Sequence, residues 1–228
     1  MEYNFKKGER LLFDKPLEWT SFDVVNKVRG LIQRKLDAKL KVGHAGTLDP
    51  LATGLIIVCT GKMTKKIQDF QDLDKEYVTT LKIGATTPSF DLETEEDQQF
   101  STDHITDEKL VETINSFVGL QEQIPSSFSA KKVNGKRAYI DARQGKKVIL
   151  QPSLIEIKEI EILEKDLSNN SVTIRVLCTK GTYIRALARD IGLRLESGAY
   201  LTKLRRTKIG DYSVDNSLKI EEFEKNII

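Results

Sequence analysis

One carboxylate stands apart in VGHAGTLDPLATGLIIVCTG, residues 42–61: Asp49, directly before Pro50 and among four glycines. An Asp-Pro pair is ordinarily a turn former, because the side chain readily bonds nearby backbone. The surroundings here favour another use. Pro50 biases residue 49 toward extended backbone, which fixes where the carboxylate points. Gly43, Gly46 and Gly54 leave room for close approach of another molecule. A single acid held in this way suits a nucleophile. Phosphate binding is rejected: the Walker pattern needs Gly five residues before Gly61 and Ser or Thr after Lys62, where Ile56 and Met63 stand.

The elements that must position this loop are legible from periodicity. A short strand from Arg10 to Phe13 ends at Asp14-Lys15-Pro16. Thr20-Ser21 caps a helix with Val24, Val25, Val28, Leu31 and Ile32 on one face. Leu55 to Thr60 reads as a buried strand, and Met63, Ile67 and Phe70 mark a helix. Glu76 to Ile83 alternates as a strand, with Tyr77, Thr79, Leu81 and Ile83 on one side. An acidic loop spans Thr87 to Asp103. A helix follows from Thr106, stopped by Gly119. Residues Ser126 to Gln151 read as an exposed basic insertion. Strands at Ile155 to Leu163 and Val172 to Cys178 precede a helix opened by Gly181 and closed by Gly198. Short strands follow at Leu201 to Thr207 and Ile209 to Val214. Without a regular βαβ rhythm, the expected class is α+β: a mixed, mainly antiparallel central sheet flanked by helices.

With 228 residues, 39% hydrophobic and 31% charged, the chain is globular rather than disordered. No apolar run approaches bilayer length, and the N-terminus lacks an apolar signal core, so a cytoplasmic protein is expected. Cys59 and Cys178 form no CxxC pair and read as free core thiols; with two histidines they argue against zinc. Basic residues cluster three times. The first helix carries Lys27, Arg29, Arg34, Lys35, Lys39 and Lys41; the insertion carries Lys131, Lys132, Lys136, Arg137, Arg143, Lys146 and Lys147; four more lie between Lys203 and Lys208. Nine acids lie between Asp91 and Glu112. This layout suggests a basic face for nucleic acid and an acidic face turned away from it.

Several long motifs, in order, resemble the TruB family of tRNA pseudouridine synthases. GHAGTLDPLATGLIIVCTGKMTK is similar to that family's signature loop, and LLFDKP to its N-terminal Lys-Pro motif. DKEYVTTLKIGATTPSFD resembles its tyrosine-bearing strand, and FSAKKVNGKRAYIDARQG its RNA-gripping insertion. CTKGTYIRALARDIG resembles its arginine motif, and AYLTKLRRTKIGDYSV its last strand pair. The resemblance covers nearly the whole chain. It implies conversion of uridine to pseudouridine at position 55 in the T-loop of tRNA. It implies Asp49 as the catalytic residue, and Tyr77, Arg185, Tyr183, Leu201, His44 and Lys15 as substrate-binding residues. Tyr77 would stack on the target base, Arg185 pair with the aspartate, and His44 help extrude the uridine. Lys131, Lys132, Lys136, Arg137, Arg143, Lys146 and Lys147 would grip RNA.

Two departures accompany this resemblance. Ser126 stands where family members often have a second proline, which leaves the entry to the insertion less rigid. The chain ends soon after SVDNSLKIEEFEKNII, so the expectation is a short form without a PUA-type C-terminal domain. Residues 1–228 would then be one catalytic domain with an insertion at about 124–151. The chemistry requires the target base to leave its stack, which calls for an aromatic platform, a plug and a basic surface. No step requires a metal or other cofactor. The expected partner is the tRNA T-arm, the expected state a monomer, and no membrane association is expected. An RNA-folding helper and an RNA-guided synthase are the rival readings.

Overall fold

The computed structural model describes residues 3–129, 131–133, 135–146 and 148–227. Lys147 lies outside the described residues, as does the side chain of Lys132. In chain order the elements are β1 (Arg10–Lys15), α1 (Ser21–Leu36), β2 (Val42–His44), β3 (Ala52–Thr60), a 3-10 turn (Gly61–Lys66), α2 (Ile67–Asp72) and β4 (Lys75–Ile83). Next come β5 (Ala85–Thr86), β6 (Gln98–Gln99), α3 (Asp107–Asn115), β7 (Gly119–Gln123), β8 (Lys132–Val133), β9 (Lys136–Arg137) and α4 (Ala138–Ala142). The last are β10 (Ser153–Asp166), β11 (Ser171–Cys178), α5 (Ile184–Arg194), β12 (Ala199–Ile209), β13 (Tyr212–Ser213) and α6 (Ile220–Ile227). The class is α+β with mainly antiparallel pairing, as the patterning predicts; β12 against β3 is parallel. Two compact units divide the chain: Met1–Val78 with Leu204–Ile228, and Thr79–Lys203. Strands β4 and β12 contribute residues to each.

In the first unit the strand order is β1-β3-β12-β4, with β2 added to β3. Nearly every residue of β3 is buried, because apolar clusters form on both of its faces. That double burial explains a continuous apolar run in place of alternation. One cluster joins Phe13, Ile56 and Val58 to Val24, Val28 and Ile32 of α1 and Phe223 of α6. The other joins Leu55, Ile57 and Cys59 to Ala45, Phe70 and Ile209. Helix α1 begins with a capping box: Thr20 and Asp23 each bond the other's backbone N–H, which satisfies two donors that the helix cannot.

In the second unit the order is β12-β4-β11-β10-β7. The alternating burial of β11 follows its alternating sequence. Helix α3 starts where predicted, with Thr106 capping Lys109. It ends at Asn115, however, and Gly119, at φ +115°, opens β7 instead of stopping the helix. The acidic loop is likewise interrupted by a short β5–β6 pairing. The insertion is not wholly exposed: it folds into the β8–β9 hairpin and α4, and Ser126, Ser129, Ala138, Ala142 and Leu150 are buried. The two strands expected between Leu201 and Val214 are one long strand, β12, with a two-residue partner, β13.

Helix α6 adds an element beyond those the patterning predicts; Ile220, Phe223 and Ile227 have helical spacing. Phe223 is fully buried and meets Phe13 edge-on at 5.2 Å. Phe223→Ala is expected to cost about 3–5 kcal/mol of unfolding free energy, read from a urea melt.

Candidate active site

Asp49 sits between β2 and β3, on a loop that the first unit holds from two sides. On one side, Lys15 at the end of β1 is fully buried. Its Nζ donates to Trp19 O at 2.6 Å, Pro16 O at 2.9 Å and Pro50 O at 3.3 Å. Three carbonyl oxygens match the three donors of an ammonium. Pro50 O also accepts from Glu18 N at 2.9 Å. One residue before Asp49, Leu48 N donates to Ser21 Oγ at 2.8 Å, and Ser21 Oγ donates to Leu48 O at 3.2 Å. The residues flanking the carboxylate, Leu48 and Pro50, are therefore both anchored to the segment 15–21.

On the other side lies Arg206 of β12, with 1% of its surface exposed. Its guanidinium donates to Leu55 O at 2.8 Å, Gly46 O at 3.2 Å and Thr47 O at 3.4 Å. Gly54 is needed at this crossing: its φ is +105°, and an added Cβ would lie 2.2 Å from Arg206 O. Burial pushes the Lys15 ammonium down to about 8. The nearby carboxylate of Asp49 opposes that shift and the Arg206 charge reinforces it. Asp49 itself is partly exposed, as is His44 at the end of β2.

Sequence reasoning missed Arg206. It lay inside the basic run at Lys203 to Lys208, read there as part of a nucleic-acid face. The structure corrects that reading: Arg206 points inward, Arg205 grips Asp14 through two bonds of 3.0 and 2.8 Å, and Lys208 pairs with Glu76 at 3.4 Å. Lys203 and Lys208 are exposed, so the correction concerns Arg206 and, through its pairing, Arg205. On α1, Lys27 likewise pairs with Glu224 of α6.

The second unit carries Arg185, Tyr183 and Leu201. Arg185, at 3% exposure, has its Nε 3.5 Å from Asp91 and donates to Ser89 O at 3.3 Å and Phe128 O at 3.2 Å. Asp91 was not foreseen as its partner; the signal was an acid closing the TTPSFD motif. Tyr183 exchanges two bonds with the Gln123 side chain, so β7 fixes the start of α5. Leu201 is buried and donates its N–H to Phe90 O, next to Asp91. Tyr77 of β4, in the first unit, is 9% exposed.

The insertion's cations are partly committed. Lys131 donates to Gln151 O and Ser153 Oγ, closing the base of the insertion. Lys136 and Lys146 share Asp141, and Arg143 pairs with Glu93 at 2.8 Å. That last contact ties the insertion to the acidic loop, contrary to the expected separation of basic and acidic surface. Arg137 is exposed. Both cysteines are buried and outside disulfides, as expected of core thiols. Among the described residues no cluster of His, Cys, Asp and Glu could hold a metal, and no helix is long and apolar enough to cross a membrane.

Fold and loop together are those of a pseudouridine synthase. A solved H/ACA ribonucleoprotein bound to a substrate RNA containing 2′-deoxyuridine aligns with TM-score 0.69 and 25% identity, over 97% of this chain and 53% of that one. The chain thus spans about half the length of that protein. Residues 33–184 match the family described as TruB family pseudouridylate synthase (N terminal domain). Residues 185–228 match tRNA pseudouridylate synthase B C-terminal domain. The tRNA pseudouridine synthase B of Phocaeicola vulgatus is 59% identical over 221 residues, which is 96% of this chain and 93% of the relative. That of Bacteroides thetaiotaomicron is 57% identical over 225 residues, 97% and 94% of the two chains. This chain belongs to the TruB family of pseudouridylate synthases.

Two measurements check the clamp. An ammonium cannot span the three carbonyls that the Arg206 fork reaches. Arg206→Lys is therefore expected to lower the turnover of pseudouridine formation by about tenfold or more through misplacement of the loop. Because the folded-state pKa of Lys15 lies below the usual 10.5, the unfolded chain holds that proton more tightly. Stability should therefore rise with pH between about 8 and 10.5. Against Lys15→Met, chemical melts should show the wild type gaining up to about 1.4 kcal/mol per pH unit across that window.

Proposed function

We propose that this enzyme isomerises uridine 55 in the T-loop of tRNAs, breaking the N1–C1′ bond and rejoining the ring through C5. The observation that carries this reading is the Asp49 loop, anchored at Leu48 and Pro50 within a chain whose 56–59% identical relatives bear the name tRNA pseudouridine synthase B. In this reading Asp49 is the nucleophile. Tyr77 supplies the aromatic face for the base. Arg185, Tyr183, Leu201, His44 and Lys15 complete the substrate-binding set.

The uridine must leave its stack before any of these groups can reach it. The insertion, with Lys131, Lys132, Lys136, Arg137, Arg143, Lys146 and Lys147, approaches the RNA backbone. Its ion pairs to Asp141 and Glu93 exchange acidic partners for phosphates on binding. The same reading has residues 1–228 act as one catalytic domain, as a monomer, in the cytoplasm.

A T-arm RNA carrying tritium at uridine C5 tests it, because that hydrogen leaves when the new C–C bond forms. Wild type is expected to release tritium. Asp49→Asn should release none above background while its RNA affinity stays within about threefold, a carboxamide being no substitute for the nucleophile. Release by Asp49→Asn at the wild-type rate would remove Asp49 from the chemistry.

A further inference from the structure

Three segments of the first unit meet at Thr60 and Gly61, where β3 ends. Thr60 N donates to Glu9 O at 2.9 Å. The Thr60 hydroxyl donates to Phe5 O at 3.1 Å and accepts from Glu9 N at 2.9 Å. Gly61 N donates to Lys41 O at 2.9 Å. The approach is close, because a Cβ on Gly61 would lie 2.5 Å from Phe5 O. The chain before β1 closes into a turn of its own, with Gly8 N donating to Asn4 O at 3.0 Å. That turn, the link between α1 and β2, and the start of the 3-10 turn after β3 are thus fastened into one surface.

What this surface presents is positive charge. Lys6, Lys7, Lys39, Lys41 and Lys62 are exposed, and among the described residues none of their ammonium groups forms an ion pair or hydrogen bond. The cations of the insertion differ, since Lys136 and Lys146 pair with Asp141 and Arg143 with Glu93. The one acid in segments 4–9, 39–42 and 60–62 is Glu9, which accepts from Asn4 N at 2.7 Å. Like charges held together in this way gather small anions, and a polyanion gains by displacing them. The surface offers nothing to read bases with: the aromatic residue of these segments, Phe5, is buried, so no ring is presented for stacking. Val42 is buried as well and Leu40 half-buried, which leaves no apolar anchor for a lipid surface. Backbone phosphates of RNA are the chemistry that remains.

The place of the patch says which phosphates. Strand β3 begins at Ala52, three residues after Asp49, and ends at Thr60, so its nine residues set the patch roughly 26 Å from the Asp49 loop. A nucleotide at Asp49 and a phosphate at the patch therefore belong to different parts of the RNA. We infer that Lys6, Lys7, Lys39, Lys41 and Lys62 bind backbone phosphates of a tRNA helix outside the T-arm. This rests on the functional reading above and adds a sequence-independent contact remote from the target uridine.

The experiment compares wild type with the triple variant Lys6→Gln, Lys41→Gln, Lys62→Gln on two RNAs, an intact tRNA and an isolated T-arm stem-loop. For intact tRNA the variant's Kd is expected to rise about tenfold, and the slope of log K against log salt to shrink by about one for each lysine that meets a phosphate. For the stem-loop, Kd and the rate of pseudouridine formation should stay within about twofold, which also shows that the variant folds. An intact-tRNA Kd within twofold of wild type would overturn the inference and leave the patch to an acidic protein or to solvent. An equal loss on both RNAs would overturn it too, because the phosphates would then lie in the T-arm. Wild-type turnover on the stem-loop reports separately on the functional reading: if it is absent, that reading fails whatever the binding comparison gives.

Discussion

Two cations shut away from water hold the loop on which everything else depends. Lys15 and Arg206 are each at most 1% exposed, and each turns its charge onto backbone carbonyl oxygens. A glycine-rich loop has many conformations and little side-chain packing to choose among them. Hydrophobic contact cannot make that choice for backbone, but directional bonds from a guanidinium and an ammonium can. Desolvating two charges is costly, and such an arrangement makes poor sense as a device for stability alone. It makes sense where one carboxylate must stand in one place. The sequence neighbours of Asp49, Leu48 and Pro50, carry bonds that anchor the loop to the segment 15–21 and so position the carboxylate.

The second unit uses the same device. Arg185 is buried against an acid and two carbonyl oxygens, one at the start of the acidic loop and one at the start of the insertion. Basic residues in this chain therefore belong to two populations that composition cannot separate. Arg206 and Arg185 organise backbone from inside, with Arg205 bridging strands beside them. Residues such as Arg137 face water and are available to a polyanion. Net charge hides both, because acids on α6, in the acidic loop and within α4 balance the surface cations of the free protein.

Much of this was readable in the sequence. Periodicity and caps gave α1, α3 and α5 and the strands β3, β4, β10 and β11, because each buries one regular face or two. Motif order gave the family. Failures came where tertiary context decided. Gly119 reads as a helix stop, yet its positive φ begins an edge strand. Helix α6 is hard to read from LKIEEFEKNII because the segment is short and highly charged, and its support is tertiary: Phe223 packs on Phe13 and Phe5, and Glu224 pairs with Lys27. The Lys203 to Lys208 run reads as surface because neighbouring side chains on a strand alternate in direction, and nothing local says that Arg206 faces in. Partnering across long sequence distance, as for Arg206 with Gly46, leaves no periodic trace.

The central claim is that this clamped loop serves isomerisation of a single uridine in the tRNA T-loop. Nucleotide-resolution pseudouridine mapping of total RNA tests it most directly, in cells with the gene deleted and with it restored. The account predicts that pseudouridine at position 55 disappears from tRNAs on deletion and returns with the wild-type gene. Unchanged modification at that position in the deleted cells, with loss at a different RNA site, would contradict it.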